Sequence, residues 1–320
     1  MAAVTLLATA GCSSSDTSQP AGSGSSPAAS SPGGSSSAST VAEAVFPVTL
    51  GTGSTAVTIE KKPARIVSLS ATVTEDLFAI GAGAQVIAVD KNSSYPASAP
   101  HTALDAYQLN AEAVAAYRPD LVVVSGVAPA QVTKLKALKL PVIDEPAAAN
   151  LDQVYEQITD LGKATGNASA AAALVASMQQ KITDIVASTP KPPAGASYYY
   201  ELDQTYYSVT TSTFVGQLFK LLGLTSIADA AKGAAAAGGY PQLNSEYVVK
   251  SDPGYLFLAD TKCCGQSAKT VAARPGWAVL GAVKGGRIEA LDDDVASRWG
   301  PRVVDLLQTI SAELKEHPIR

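Results

Sequence analysis

The chain has 320 residues, with 23 Lys and Arg against 28 Asp and Glu and a net charge of −5. No Lys/Arg-rich run stands anywhere in it, which argues against a nucleic-acid partner, and no apolar stretch approaches the roughly 20 residues needed to span a bilayer. Two His and three Cys, with no Gly-x-Ser-x-Gly elbow and no Gly-rich phosphate loop, leave little metal or nucleophilic chemistry, so an enzyme is not expected.

Val4 to Cys12 is a short apolar run that ends in small residues, and residues 13–41 are mostly Ser, Gly, Ala and Pro. Residues 1–12 read as the remnant of a bacterial lipoprotein signal, with Cys12 as the lipidated residue. No Lys or Arg precedes the run, which suggests a start further upstream. The stretch 13–41 holds too little apolar surface to offset its ordering entropy and reads as a disordered tether.

Val45–Leu50 and Thr55–Glu60, joined by Gly51-Thr52-Gly53, predict a β-hairpin. Arg65–Ser70 reads as a buried strand, Thr72–Ile80 as a helix stopped at Gly81-Ala82-Gly83, and Val86–Val89 as the next strand. Gln131–Leu138 reads as a helix and Pro141–Ile143 as a short strand. Asp152–Lys163 is an amphipathic helix with Val154, Ile158 and Leu161 on one stripe, broken by Gly162 and by Gly166-Asn167. Ala168–Ser188 is a long helix, with Leu174, Met178, Ile182 and Ile185 at helical spacing. At about 1.5 Å per residue it would span roughly 30 Å. It suits a strut between lobes or an ordinary packing helix, and periodicity does not separate the two. Ser197–Asp203 and Tyr206–Val209 read as β, Thr213–Leu222 as a helix and Ala234–Gly239 as a flexible loop. Gly286–Leu291 reads as a strand, and Pro301–Lys315 as the last helix. Strands alternating with helices predict parallel sheets covered on both faces.

One segment occurs twice. Gln108-Leu109-Asn110-Ala111-Glu112-Ala113-Val114 leads through Arg118-Pro119-Asp120 into Leu121–Val124. Gln242-Leu243-Asn244-Ser245-Glu246-Tyr247-Val248 leads through Asp252-Pro253-Gly254 into Tyr255–Leu258, with no gap between the two registers. Each copy is a capped helix, a Pro break and a buried strand. Two such units predict two similar lobes with a ligand cleft between them. The expected division is an N-terminal lobe over 42–166, an interlobe helix over 167–190 and a C-terminal lobe over 191–320.

Several motifs stand in order along the chain: Pro63–Ser70 with Thr74-Glu75, Val89-Asp90 with Ser94-Tyr95-Pro96, and Asn110-Ala111-Glu112 with Arg118–Leu121. Tyr240–Leu243, Arg274-Pro275-Gly276-Trp277 and Gly300-Pro301-Arg302 follow. Together they resemble the periplasmic-binding-protein family that carries ferric siderophores, haem or cobalamin to ABC importers. Asp260–Gln266 adds a likeness to actinobacterial lipoproteins of the ferric-dicitrate-binding type. The resemblance covers about residues 60 to 315 and implies an α/β fold. In that fold two Rossmann-like lobes, each with a mostly parallel sheet, are bridged by one long α-helix. It also implies an iron-siderophore, haem or corrinoid ligand, a permease dimer as partner, a monomer, and a lipid anchor on the outer face of the cytoplasmic membrane. A scaffold of the same fold that no longer transports is the alternative.

Asn110 and Asn244 are good N-caps, which places Glu112 and Glu246 in first helical turns. Alone, such a carboxylate complements the helix dipole by about 0.3–1 kcal/mol. Present once per lobe, the two are expected to dock on the permease, as matching glutamates in the family do. The ligand pocket wants aromatic walls and a few polar groups. The candidates are Tyr95, Tyr107, Tyr206, Tyr240, Arg298 and Trp299, with Tyr207 also open. Arg298 would give an anionic ferric chelate a local positive charge. Arg302 is expected to tie down the last helix, and Glu75 and Asp76 to be first-turn carboxylates. Glu201 and Asp203 stay open between ligand contact and strand-end cap, and at least one of Tyr198–Tyr200 belongs to the core. A haem would need an axial ligand, for which Tyr95 is a candidate and His101 a lesser one. Cys263 and Cys264 could pair or remain thiols.

Overall fold

The computed structural model of the chain describes residues 45–52 and 56–319. Cys12 and the segments 1–12 and 13–41 lie outside them. The hairpin forms as expected: β1 (Val48–Leu50) pairs antiparallel with β2 (Val57–Ile59). The first lobe then runs β3 (Ile66–Leu69), α1 (Ala71–Ala79), β4 (Val86–Asp90), β5 (His101–Leu104), α2 (Ala111–Ala116), β6 (Leu121–Val124), α3 (Pro129–Ala137) and β7 (Val142–Asp144). The five strands lie in the order β5-β4-β3-β6-β7, all parallel. β3 and β6 are buried along their whole length, as central strands covered on both faces must be. β5 is absent from the sequence reading because it is an edge strand with one buried residue, Leu104. Glu75 and Asp76 fall in the second turn of α1 and not the first, and both are buried.

Two helices connect the lobes. α4 (Leu151–Thr165) starts on the Asn150 cap and ends at Gly166 in the left-handed region, φ 69°. Gly162 does not break it, contrary to expectation. A Cβ there would stand 2.4 Å from the Cβ of Ala171, so glycine is what lets α4 lie against α5 (Ala168–Ser188). α5 packs on α4 at its start, where Gly162 meets Ala171, and on the C-terminal helix at its end, where the Thr189 and Ser311 hydroxyls stand at 2.6 Å, which fits the strut. Met178, Ile182 and Ile185 are its buried stripe.

The second lobe contains β8 (Ser197–Glu201), α6 (Phe214–Leu221), β9 (Thr225–Ser226), α7 (Ser245–Ser251), β10 (Tyr255–Leu258), α8 (Thr261–Cys264), α9 (Ala268–Ala272), α10 (Gly281–Lys284), β11 (Ile288–Ala290), α11 (Asp293–Ala296) and α12 (Val303–Glu316). Its strands are parallel in the order β9-β8-β10-β11. Helices α8 to α11 have four or five residues each, too few for a periodic signal. Tyr206–Val209 is not a strand; only Tyr207 bridges, to Gln242. All three of Tyr198, Tyr199 and Tyr200 are core, Tyr198 stacked on Phe219 at 4.1 Å. Cys263 and Cys264 are joined as a disulfide.

The repeated segment has the same place in both lobes. The order β4-β3-β6-β7 matches β9-β8-β10-β11, so β6 and β10 are equivalent strands, and α2 and α7 lead into them. The outer face of each sheet has its own apolar cluster: Leu69, Val122 and Leu135 in the first lobe, Tyr199, Leu256 and Trp277 in the second. The inner faces share a single cluster that runs from Leu77 and Val123 through Met178 of α5 to Phe257 and Leu307. One shared core ties both lobes to the strut, because each fully buried large apolar side chain contributes about 1.5–3 kcal/mol.

Candidate functional site

In a doubly wound sheet the crevice opens where neighbouring strands lead their connections to opposite sides, beyond the strands' carboxyl ends. In the first lobe that place lies between β3, which leads to β4, and β6, which leads to β7. A cavity of about 540 Å3 sits there. Its first-lobe wall is Leu69-Ser70 after β3, Asp90–Asn92 after β4, Tyr107, and Ser125-Gly126 after β6. Gly126 takes φ 67°, a left-handed conformation that glycine adopts without strain. The other wall is Asp294, Ser297, Arg298 and Trp299 of the second lobe. The cavity is therefore an interlobe cleft of ligand size.

Of the sequence candidates, Tyr107, Arg298 and Trp299 line this cleft. Tyr107 is 82% exposed at the rim, and Trp299 is half-buried against the shared core. Arg298 is not a free cation. Its Nη1 donates to Glu75 Oε1 at 2.7 Å. Its Nη2 donates to Asp294 Oδ1 at 2.8 Å, the Asn92 carbonyl at 3.0 Å and Ser94 Oγ at 3.1 Å. Glu75 also accepts from Arg302 Nε at 2.8 Å and Nη2 at 2.5 Å. The Glu75 hydrogen bond, opposed by burial, raises the Arg302 pKa. Arg302 thus anchors the start of α12 to the first lobe. Next to Glu75, burial and then the Glu75 charge push the Asp76 carboxyl well above the usual carboxylate range.

Asp90 is buried at the cleft floor, where it accepts from Ser93 Oγ at 2.5 Å and the Asn92 N–H at 3.4 Å. Lys91 is paired with Asp105 at 2.7 Å. Ser125 Oγ is buried and has no hydrogen-bond partner. Glu75, Asp90, Asp294 and Ser125 escaped the sequence reading as site residues. The Val89-Asp90 and Thr74-Glu75 motifs carried the only available signal for two of them.

The other candidates lie elsewhere. Tyr95 stands 49% exposed in a second cavity of about 400 Å3 between α1, α5 and α12, under the Arg302 guanidinium at 4.4 Å. Tyr206 and Tyr240 are on loops at the carboxyl edge of the second sheet and do not line either of these cavities. Tyr206 packs on Trp277 and under Arg274. Tyr240 is 43% exposed and Tyr207 40% exposed. His101 is exposed on β5. Asp203 caps its own turn by accepting from Thr205 N–H at 2.7 Å.

At the corresponding switch of the second sheet, between β8 and β10, three charged side chains meet. Glu201 takes a bidentate pair from Arg274, at 2.6 and 2.5 Å. Asp260 is buried beside it with neither carboxylate oxygen bonded to a donor. Burial, then the Glu201 charge, push Asp260 up to about 7.

Glu112 and Glu246 are both exposed in first turns, as expected from their caps. Asn110 accepts from the Ala113 N–H at 3.0 Å and Asn244 from the Tyr247 N–H at 2.8 Å.

Residues 66–295 match the family model described as periplasmic binding protein. The chain is 31% identical over 281 residues to an uncharacterized ABC transporter substrate-binding lipoprotein of Bacillus subtilis, covering 84% of this chain and 86% of that one. It is 28% identical over 269 residues to a cobalamin-binding protein of Halobacterium salinarum, covering 81% and 72%. Its fold overlays the crystal structure of a possible iron-binding periplasmic solute-binding protein from Staphylococcus epidermidis with a TM-score of 0.67. The identity there is 25%, with 79% of this chain and 99% of that one covered.

Proposed function

The chain belongs to the periplasmic-binding-protein family, and on that footing we propose that it is the substrate-binding lipoprotein of an ABC importer, carrying a ferric siderophore or related iron chelate. A corrinoid is the second cargo class, favoured by the cobalamin-binding relative. The observation that carries the reading is the interlobe cleft, with Ser70 and Ser125 on one wall and Arg298 and Trp299 on the other. Tyr107 stands at the rim, and Tyr206 and Tyr240, on loops at the carboxyl edge of the second sheet, would contact only cargo that extends over the second lobe. Haem is the weaker candidate, since Tyr95, its best axial ligand, does not line the cleft and lies against Arg302.

Docking runs through Glu112 and Glu246. A permease dimer presents the same surface twice, and the two equivalent helices offer one exposed carboxylate each. Lipidation at Cys12 would hold the protein on the outer face of the cytoplasmic membrane, with residues 13–41 as the tether. The test is titration calorimetry with ferric hydroxamates, ferric citrate, cyanocobalamin and haem. One class should bind saturably, and Ser297→Trp, which fills the cleft from an exposed position, should abolish that binding. Absence of binding by every class would support the non-transporting scaffold instead.

A further inference from the structure

We infer that the cleft selects an uncharged cargo and rejects an anionic one, an inference that rests on reading the cleft as the ligand site. The charge around the cleft forms an unbroken row of ion pairs. Lys262 pairs with Asp292 and Asp294 at 2.8 and 3.1 Å, Asp294 with Arg298 at 2.8 Å, Arg298 with Glu75 at 2.7 Å, and Glu75 with Arg302. The three cations balance the three carboxylates, so no positive charge is left over for a ligand. Lys91, the other cation of the lining, is held by Asp105.

The surplus at the cleft is negative. Asp90 lies on the floor with a hydroxyl and a backbone N–H as donors and no cationic partner among the described residues. An anion entering the cleft meets that carboxylate with reduced solvent screening and no compensating cation. What the cleft does offer is neutral: the unpartnered Ser125 hydroxyl, the Ser70 hydroxyl and the Tyr107 phenol. Such groups satisfy the amide and hydroxyl edges of an uncharged ligand.

Chelate chemistry turns this into a choice. Three hydroxamates each bring one negative charge and cancel ferric iron, which leaves an uncharged complex. Three catecholates bring twice as many and leave a trianion. Cyanocobalamin is uncharged, and haem carries two propionates. The full chain is titrated with a ferric trishydroxamate, a ferric triscatecholate, cyanocobalamin and haem, at low and high salt. The trishydroxamate or cyanocobalamin should bind about tenfold or more tighter than either anion. High salt should narrow the gap by screening the repulsion, and Asp90→Asn should narrow it at low salt. An anionic chelate that binds as tightly as the uncharged one, or that loses affinity as salt rises, overturns the inference while the cleft reading stands. Saturable binding by none of the four removes the cleft reading and the inference with it.

Discussion

Glu75 of α1 and Arg298 ahead of α12 meet at 2.7 Å across the two lobes, and the same carboxylate holds Arg302. The contact lies between the cleft and the second cavity, at the side of the strut α5. Glu75→Gln keeps the shape and removes the charge. Arg298 would keep Asp294, but Arg302 would lose its only carboxylate partner among the described residues. Breaking a buried pair from one side costs about 3–5 kcal/mol. Thermal unfolding of Glu75→Gln should show a Tm lower by several degrees; an unchanged Tm would contradict the latch.

Glu112→Ala with Glu246→Ala should leave ligand affinity unchanged and abolish uptake through the cognate permease. Each single variant should retain part of the uptake, since one lobe still engages. The two substitutions together should cost no more than about 1–2 kcal/mol of stability through lost dipole complementarity. Uptake at the wild-type rate in the double variant would remove the docking role.

Gly162→Ala sets two effects against each other. Alanine gains about 1 kcal/mol of helix propensity. Its Cβ would stand 2.4 Å from the Ala171 Cβ and force α4 off α5, at about 1–3 kcal/mol for overpacking. The clash should win, and denaturant titration should show a net loss of stability. A stabilised variant would mean that the α4–α5 contact yields easily.

Asp260 gives the chain a pH signature. Its folded pKa of about 7 lies above the roughly 3.9 of an unfolded Asp, so the folded chain binds more protons between these values. Stability therefore falls as pH rises through that window. The groups that act on Asp260 are Glu201 on β8 and Arg274 after α9, and Tyr199 lies in the same cluster. Asp260→Asn is neutral at every pH. It should match the wild type below about pH 4, gain on it as pH rises toward 7, and exceed its Tm by a few degrees near pH 8. Asp76 and Glu145, also raised by burial, leave a residual slope in both proteins. Parallel Tm curves for wild type and variant would exclude a raised Asp260.

What was legible in the sequence was local. The bounds of α5 came from the Gly166-Asn167 break before it and the Pro190-Lys191-Pro192-Pro193 run after it; the caps Asn110 and Asn244 came from side chain and spacing, because capping is settled within four residues. The equivalence of the lobes was legible because the same αβ unit is written twice. Arg298 was legible as a residue at the cleft but not as a neutralised one, since Glu75 and Asn92 reach it from the far lobe. Tyr95 followed Arg302 and not the cleft for the same reason. Edge strand β5 stayed hidden because pairing with β4, and not an apolar pattern, holds it.

The central claim is that cargo sits between the lobes, and Trp299 is placed to report it. The sequence has two Trp; Trp277 is fully buried and donates to Ser245 Oγ at 2.7 Å, whereas Trp299 lines the cleft. Fluorescence titration of wild type and Trp299→Phe with a ferric trishydroxamate and with cyanocobalamin separates the two. Saturable quenching in the wild type that largely disappears in Trp299→Phe, while calorimetry shows that the variant still binds, is the predicted result. Equal quenching in both proteins, or none that saturates in the wild type, would contradict a ligand in this cleft.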